Sequence, residues 1–249
     1  MPDPVNQIAA AAVDDGGRPR RKRPAALLPW QPRCLGCRDA VAGALDLCDD
    51  CRRRLPWNDH ACPRCALPLS TEFPVAPCPA CRRRPPPVVA TVAPLLYAPP
   101  IDRWQPRFKF HQDLAAGRLL ACLLAEACAA SARPDAVVPV PLHHGRLRAR
   151  GYDQALELAR VVARTLALPL HAGLLLRRRA TAPQSELDAA ARQANLRGAF
   201  GVRPGAVPPV HVALVDDVMT TGATLHAAAV ALREAGAGRV DAWVCARVP

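Results

Sequence analysis

Two adjacent aspartates, Asp216 and Asp217, stand between a short apolar run and a polar loop with three threonines and a glycine. The threonine hydroxyls and the backbone N–H groups of the loop could converge on an anion, and Gly222 would let the chain approach a phosphate closely. Two carboxylates would repel a bare phosphate. They fit better as acceptors for ribose hydroxyls, or for water molecules on a Mg²⁺ ion, next to the phosphate.

The elements that must position this loop can be predicted from the pattern on either side of it. The run before Asp216 is short and rich in β-branched residues, which is typical of a parallel strand buried on both faces. After Gly222, apolar residues at helical spacing predict a helix to about Ala235, whose N-terminus would add partial positive charge. A plain strand–loop–helix turn in which Asp217 only begins a cap would explain one acid and one threonine, but not the whole set.

The rest of the chain predicts a sheet into which this strand would fit. Strands are predicted at 88–97, 137–141, 174–176 and 240–248. Helices are predicted at 113–130 and directly after Gly151. Because strands alternate with helices, we expect a parallel, doubly wound topology.

A second polar loop, directly after the strand at 137–141, carries three arginines, two histidines and two glycines. In an α/β sheet, ligands bind at the carboxyl ends of the strands. Alone, the loop could be a solvated basic segment, but together with a phosphate cradle on another strand it fits a pyrophosphate better. The residues predicted to bind pyrophosphate are Leu142, His143, Arg146, Arg150 and Gly151.

Eight of the eleven cysteines form four Cys-x-x-Cys pairs near the start of the chain. The two-residue spacing lets both thiolates of a pair reach one tetrahedral Zn²⁺ ion, and a segment this small needs such staples to fold. A disulfide module, an iron–sulfur site and a cross-braced pairing are alternatives. Pairing of neighbours predicts two closed, structural zinc sites, with Cys34, Cys37, Cys48 and Cys51 in one and Cys62, Cys65, Cys78 and Cys81 in the other.

Length and charge set the limits for everything else. At 249 residues the chain can hold one sizeable α/β domain and a small module, and its net charge of +12 makes polyanions plausible partners. Arginine supplies almost all of the basic residues, and a general arginine bias weakens that argument for nucleic acid. The sequence has no export signal and no bilayer-spanning stretch, so we expect a cytoplasmic protein without membrane insertion.

The combination of cysteine pairs and acidic loop resembles the ComF family, in which a double zinc ribbon precedes a type I phosphoribosyltransferase domain. The loop itself resembles the phosphoribosyl diphosphate (PRPP) motif of that superfamily. Asp153 departs from the pattern, because the family usually has Asn there, and it places a carboxylate near the predicted pyrophosphate loop. The shared stretches are Phe108–His111, Val138–His143, Arg146–Gln154, Arg179–Gln184, Asn195–Phe200 and Asp216–Leu225.

The resemblance implies a type I phosphoribosyltransferase fold, a parallel sheet flanked by helices, at 88–249. A double zinc ribbon at 30–85 and a disordered basic tail at 1–29 would precede it, and we expect the ribbon and the core to be separate. Asp216 and Asp217 would be the catalytic residues, facing the ribose hydroxyls of PRPP bound with Mg²⁺. The residues implied to wrap the 5′-phosphate are Val218, Met219, Thr220, Thr221, Gly222, Ala223 and Thr224.

The family also implies an activity and partners. A nucleophile would attack the anomeric carbon of PRPP and pyrophosphate would leave, with no residue that identifies the acceptor. The protein would associate with single-stranded DNA during uptake or transformation, and with proteins of the competence machinery. Two other functions stay open. One is an inactive phosphoribosyltransferase-fold adaptor that binds nucleic acid, and the other is an amidophosphoribosyltransferase, against which the missing N-terminal glutaminase domain argues.

Three arginine clusters are expected to border one groove for a polyanion, at 82–84, 146–150 and 177–179. Aromatic residues beside such a groove can stack on the bases of a single strand. The polar stretch at 177–195 is expected to form a mobile lid. The candidate stacking residues are Trp104, Phe108 and Phe110.

Overall fold

The computed structural model describes residues 32–72, 75–179 and 198–249. The predicted tail at 1–29 and most of the predicted lid, 180–195, lie outside the described residues. The helices are α1 (Asp49–Arg53), α2 (Pro79–Arg83), α3 (Ile101–His111), α4 (Leu114–Cys128), α5 (His144–Arg150), α6 (Gln154–Thr165) and α7 (Ala223–Glu234). The strands are β1 (Thr91–Val92), β2 (Leu95–Leu96), β3 (Ala136–Pro139), β4 (Leu175–Arg177), β5 (Phe200–Val202), β6 (His211–Met219) and β7 (Arg239–Arg247).

A parallel sheet with the strand order β1-β7-β6-β3 forms the centre of the protein, and β2 also pairs with β7. Every pairing in this sheet is parallel, as the sequence predicted. The two long strands run side by side from His211 opposite Arg239 to Met219 opposite Arg247. This register brings the end of β7 next to the residues that follow the acidic pair.

The two faces of the sheet carry separate apolar clusters because side chains alternate along each strand. Ala213 and Val215 of β6 pack with leucines of α4 and α6 on one face. Val212 and Leu214 pack with α7 on the other face. The helices therefore cover both sides of the sheet and leave the carboxyl ends of its strands accessible for a ligand.

Two elements differ from the sequence prediction. The strand predicted at 174–176 is β4, but it pairs antiparallel with β5 in a separate two-stranded sheet. Residues 101–111 form the helix α3 with Pro106 inside it, where no helix was predicted. In α3 the side chains of Trp104 and Phe108, one helical turn apart, are only 3% and 1% exposed. Their prediction as stacking surfaces for bases is therefore wrong, because the helix turns both rings into the core.

The cysteine-rich segment packs directly against the sheet. Thr91 of β1 donates a hydrogen bond from Oγ1 to the carbonyl of Arg64 over 2.7 Å. Trp57 forms an antiparallel bridge with Leu95 of β2. These contacts fix the ribbon at the edge of the sheet formed by β1 and β2. In the part of the chain that the structure describes, no helix is long and apolar enough to cross a membrane.

Candidate functional site

The eight paired cysteines come together as two groups of four, in the grouping of neighbouring pairs that the sequence predicted. Within each group all four sulfur atoms lie within 4.8 Å of one another. The Sγ–Sγ distances are 3.7 Å for Cys34–Cys48 and 3.8 Å for Cys65–Cys78. Tetrahedral zinc with bonds of about 2.3 Å requires sulfur atoms about 3.8 Å apart. Both groups therefore have the geometry of a closed, structural zinc site.

Backbone N–H groups prepare one thiol in each group for metal binding. The N–H of Cys48 donates to Cys34 Sγ over 3.4 Å, and the N–H of Cys78 donates to Cys62 Sγ over 3.2 Å. Burial alone would raise the pKa of these thiols, but the backbone donors outweigh it. They lower the pKa of Cys34 to about 6 and the pKa of Cys62 to about 7. Each group therefore holds a thiolate near neutral pH, the form that binds zinc.

A cavity of about 660 Å³ opens at the carboxyl ends of the central strands. Residues that follow three of the strands line it, together with residues at the end of a fourth. They are Tyr97 after β2, Val140–Leu142 after β3, Val248 after β7, and Asp216–Val218 at the end of β6. This is the edge at which parallel α/β sheets bind ligands.

The acidic pair lies inside β6, which continues past Asp217 to Met219 and so ends later than the sequence predicted. Asp217 is 7% exposed. Its Oδ1 accepts a hydrogen bond from the N–H of Val218 over 2.7 Å, and its Oδ2 lies 2.9 Å from Nζ of Lys109. Asp216 accepts a hydrogen bond from the N–H of Asp217 over 2.8 Å. The pair is held rigidly at the floor of the cavity.

Lys109 changes the charge of this site. Burial and the neighbouring Asp217 carboxylate raise the pKa of Asp216 well above its usual range. Burial also opposes ionisation of Asp217, but the Lys109 ammonium outweighs it and lowers the pKa of Asp217. Lys109 therefore places a positive charge against the acidic pair and offsets part of its negative charge. This weakens the objection that two carboxylates would repel a phosphate beside them.

The loop after the acidic pair combines a tight turn with a helix N-terminus. Gly222 has φ 78°, a left-handed conformation that glycine adopts readily, and α7 starts directly after it. Thr220, Thr224 and Val218 line the cavity. Met219 is 1% exposed, so its side chain lies beneath the loop. Of the side chains predicted at the 5′-phosphate, the structure therefore brings three to the cavity wall.

The predicted pyrophosphate loop contains a short helix, α5, and the predicted residues divide between two roles. Leu142, Arg146 and Arg150 line the cavity. His143 instead caps α5, because its Nδ1 accepts from the N–H of Gly145 over 3.3 Å. Gly151 ends α5 with φ 81°. The cap and the terminal glycine thus shape the helix from which the two arginines reach the cavity.

Arg177 of β4 also lines the cavity. Arg146 and Arg177 both line this cavity, so two guanidinium groups face it. Burial and the nearby Arg146 guanidinium lower the pKa of Arg177. Arg177 was predicted in a basic cluster but not in the site. The convergence on one cavity wall depends on where the β4–β5 sheet packs.

Asp153, the departure from the family pattern, has a structural explanation. Its Oδ1 accepts from the N–H of Leu156 over 3.2 Å, which caps the N-terminus of α6. Its Oδ2 accepts from the N–H of Leu142 over 3.0 Å. The carboxylate therefore ties the start of the pyrophosphate loop to α6. Burial raises the pKa of Asp153, and the backbone donors oppose that effect.

Sequence analysis also missed Lys109 as a site residue, although it is one of only two lysines in a chain rich in arginine. That rarity is the signal that could have singled it out. Of the predicted stacking residues, Phe110 alone is exposed, at 62%, and it lines the mouth of the cavity. The guanidinium carbon of Arg150 lies 5.1 Å from the centre of the Phe110 ring.

Comparisons with known proteins agree with this architecture. Residues 25–82 match the double zinc ribbon domain. The chain is 33% identical over 221 residues to the DNA utilization protein YhgH of Salmonella typhimurium, covering 86% of this chain and 96% of that protein. It is 34% identical over 224 residues to competence protein F of Haemophilus influenzae, with the same coverage.

Among solved structures, the chain is similar to the glutamine PRPP amidotransferase from B. subtilis complexed with ADP and GMP. The superposition covers 52% of this chain and 26% of that protein, with a TM-score of 0.36 and 24% identity. Both alignments span nearly the whole length of the two relatives. The chain therefore belongs to the family of competence protein F, the ComF family, and in this chain a double zinc ribbon precedes a parallel sheet flanked by helices.

Proposed function

We propose that this protein binds PRPP together with Mg²⁺ in the cavity and acts on or with single-stranded DNA in its utilisation or uptake. One observation carries the first part of the proposal. An acidic pair, a phosphate-type loop at a helix N-terminus and converging arginines line a single cavity at the carboxyl ends of parallel strands. The names of the relatives, a DNA utilization protein and a competence protein, support the second part.

Each part of PRPP has a matching wall in the cavity. The loop that includes Thr220 and Thr224 offers hydroxyls and backbone N–H groups to the 5′-phosphate. Asp216 and Asp217 face the ribose hydroxyls. Arg146 and Arg177 offer guanidinium groups to the diphosphate, for which planar, forked donors are well suited.

The residues present also fit a Mg²⁺ ion that arrives with the ligand. Mg²⁺ is usually held by one or two carboxylates plus substrate phosphates and retains several waters. Both oxygens of Asp217 already have partners, the Val218 N–H and Lys109. Asp216 would therefore hold the ion, directly or through water. When bound, the ion would neutralise charge on the diphosphate.

In the transfer reaction the bond between the anomeric carbon and the diphosphate breaks as a bond to the nucleophile forms. The negative charge of the leaving pyrophosphate develops next to Arg146, Arg150 and Arg177, which would stabilise it. The two ribose-facing carboxylates orient the sugar. The same geometry can bind PRPP without turnover, as an adaptor would, and release of pyrophosphate distinguishes the two functions.

Calorimetric titration with PRPP and Mg²⁺ tests the binding. We expect Thr224→Val, on the cavity wall, to weaken PRPP binding by about 1.5–3 kcal/mol, the contribution of a hydrogen bond to a charged group. Thr165→Val is the matched control, because Thr165 is exposed at the end of α6 and outside the cavity lining. Asp216→Asn combined with Asp217→Asn should weaken binding further. Unchanged affinity in all of these variants would place the ligand elsewhere.

Fluorescence anisotropy with matched single and double strands tests the DNA part. Phe110 is the exposed aromatic ring at the cavity mouth, with Arg150 stacked on it. We expect the protein to bind single strands more tightly than double strands. The logarithm of the affinity for single strands should fall by roughly 0.7 per tenfold rise in salt concentration for each phosphate contacted. Phe110→Ala should reduce affinity at every salt concentration, whereas Leu114→Ala, at a similarly exposed apolar residue, should not. Equal affinity for single and double strands would contradict the proposal.

A further inference from the structure

Lys109 places a fixed positive charge inside the cavity, directly beside the acidic pair. Its Nζ lies 2.9 Å from Asp217 Oδ2, and the side chains of Lys109 and Asp217 are 29% and 11% exposed. The ammonium therefore lies in a partly desolvated ion pair, where charge interactions are stronger than at the surface. It also lines the cavity that PRPP would occupy.

The fold holds this lysine in place from both sides. The preceding residue, Phe108, is 1% exposed and packs on α4 at Gly117, where a Cβ would overlap its ring. On the other side, Gln154 of α6 donates from Nε2 to the backbone carbonyl of Lys109 over 3.4 Å. These contacts fix the backbone of Lys109 between α4 and α6, and the ion pair with Asp217 directs its ammonium to the acidic pair.

An ammonium at this point takes over part of what a divalent ion does in such a site. Lysine has three N–H donors, and the contact with Asp217 uses one of them. The remaining donors can reach oxygens of the ribose or of the diphosphate. A divalent cation approaching Asp217 would instead meet a positive charge and a carboxylate whose two oxygens have partners. The ammonium therefore occupies Asp217 and leaves Asp216 as the carboxylate that would hold the metal.

We propose that Lys109 is a built-in cation that binds the ribose–diphosphate part of PRPP, so that the protein retains PRPP affinity when Mg²⁺ is absent. This inference rests on the proposed PRPP binding and adds to it a reduced requirement for metal. Lys109 and Mg²⁺ then have overlapping roles. Removing Lys109 alone or Mg²⁺ alone therefore weakens PRPP binding much less than removing both.

The test is PRPP titration of the wild type and Lys109→Met, each with Mg²⁺ and without it. Mg²⁺ is omitted and not chelated, because a chelator would also remove zinc from the cysteine groups. We expect the wild type to lose less than about tenfold in affinity without Mg²⁺, below the contribution of one charge-assisted contact. Lys109→Met should lose at least about tenfold more than the wild type when Mg²⁺ is omitted.

Two further variants separate this role from a general loss of charge or of folding. Arg107→Met removes a positive charge from the same helix, where Arg107 pairs with Asp113 at 2.6 Å, and should leave both titrations unchanged. Lys109→Arg keeps the charge and should keep binding without Mg²⁺. Because Lys109→Met leaves a buried carboxylate without its partner, Lys109→Met with Asp217→Asn provides a version in which both charges are absent. PRPP binding by this double variant should also depend strongly on Mg²⁺.

The outcomes distinguish this inference from the proposed function. A wild type that binds PRPP with Mg²⁺ but not without it would overturn the role of Lys109 and leave the proposed function intact. The same holds if the Lys109 variants lose equal affinity in both conditions. A wild type that binds no PRPP even with Mg²⁺ would overturn the proposed function, and this inference with it.

Discussion

The two groups of four cysteines have the same spacing within each pair, but they stand in different relations to the cavity. In the first group Cys37 is exposed. The helix α1, which contains Cys51 of this group, forms an ion pair with α4 through Arg52 and Glu126. Both side chains of that ion pair are more than a third exposed, at 38% and 44%. In the second group three of the four cysteines are buried.

Arg247, at the end of β7, connects the second group to the phosphate loop. This residue is 8% exposed. Its Nε donates to the carbonyl of Cys65 over 3.0 Å, and its Nη1 donates to the carbonyl of Met219 over 3.2 Å. The N–H of Val248 donates to the same Met219 carbonyl over 3.0 Å. One side chain therefore joins a zinc-site loop to the start of the loop predicted to hold the 5′-phosphate.

Identical chelating motifs therefore stabilise different parts of the same protein. The first group stabilises the part of the ribbon that packs on the α4 face of the sheet, because Cys34, Leu47 and Leu55 belong to the apolar cluster on that face. The second group supports the wall of the cavity, because β7 lies next to β6 and its register places Arg247 opposite Met219. The comparison can be tested by disrupting the two groups separately.

The largest expected effect is that of Cys62→Ser, compared with Cys34→Ser. Both residues are fully buried and begin the first pair of their group. Each variant should contain about one zinc per chain instead of about two, from the count of ligands. Loss of a structural metal can cost more than about 4 kcal/mol of folding stability.

Only Cys62→Ser should also weaken PRPP binding strongly, because its loop supports Arg247 and carries Ala66, which lies in the same apolar cluster as Met219. Elemental analysis and calorimetric titration measure the two quantities. Equal loss of PRPP affinity in both variants would show that the two groups do not differ in this respect. Iron in place of zinc would contradict the assignment of the metal.

A smaller effect is expected for Arg247→Met, which breaks the connection and leaves all eight cysteines intact. The variant leaves the carbonyls of Cys65, Met219 and Val248 without their charged donor. We expect PRPP binding to weaken about tenfold, the scale of one such hydrogen bond. The zinc content should not change. Calorimetry together with elemental analysis provides the measurement, and wild-type affinity in Arg247→Met would show that the connection has no effect on the cavity.

The smallest effect is expected for Glu126→Gln, which removes the ion pair between α4 and Arg52 in the helix of the first cysteine group. Because both partners are well exposed, we expect a loss of about 0–1 kcal/mol in the free energy of unfolding. PRPP affinity should stay at the wild-type value. Denaturant unfolding measures the change in stability, and calorimetric titration measures PRPP affinity. A loss of PRPP affinity would mean that the first cysteine group also supports the cavity.

Features that depend on close neighbours in the chain could be predicted from the amino-acid sequence. The Cys-x-x-Cys spacing determines which thiols can share an ion, and the structure groups the pairs as predicted. The apolar run before Asp216 and the helical stripe after Gly222 predicted β6 and α7 because each pattern is read over a few residues. The acidic pair and the threonine loop were identified in the same way.

Contacts between residues far apart in the chain could be identified only in the tertiary structure. Trp104 and Phe108 are buried because α3 packs on α4, a contact that a mixed basic and aromatic stretch does not reveal. Lys109 reaches Asp217 from a helix far away in the chain. Arg247 reaches Cys65, 182 positions away, because strand order and register bring them together. Such contacts depend on how the whole sheet is assembled, and no local pattern of residues encodes that.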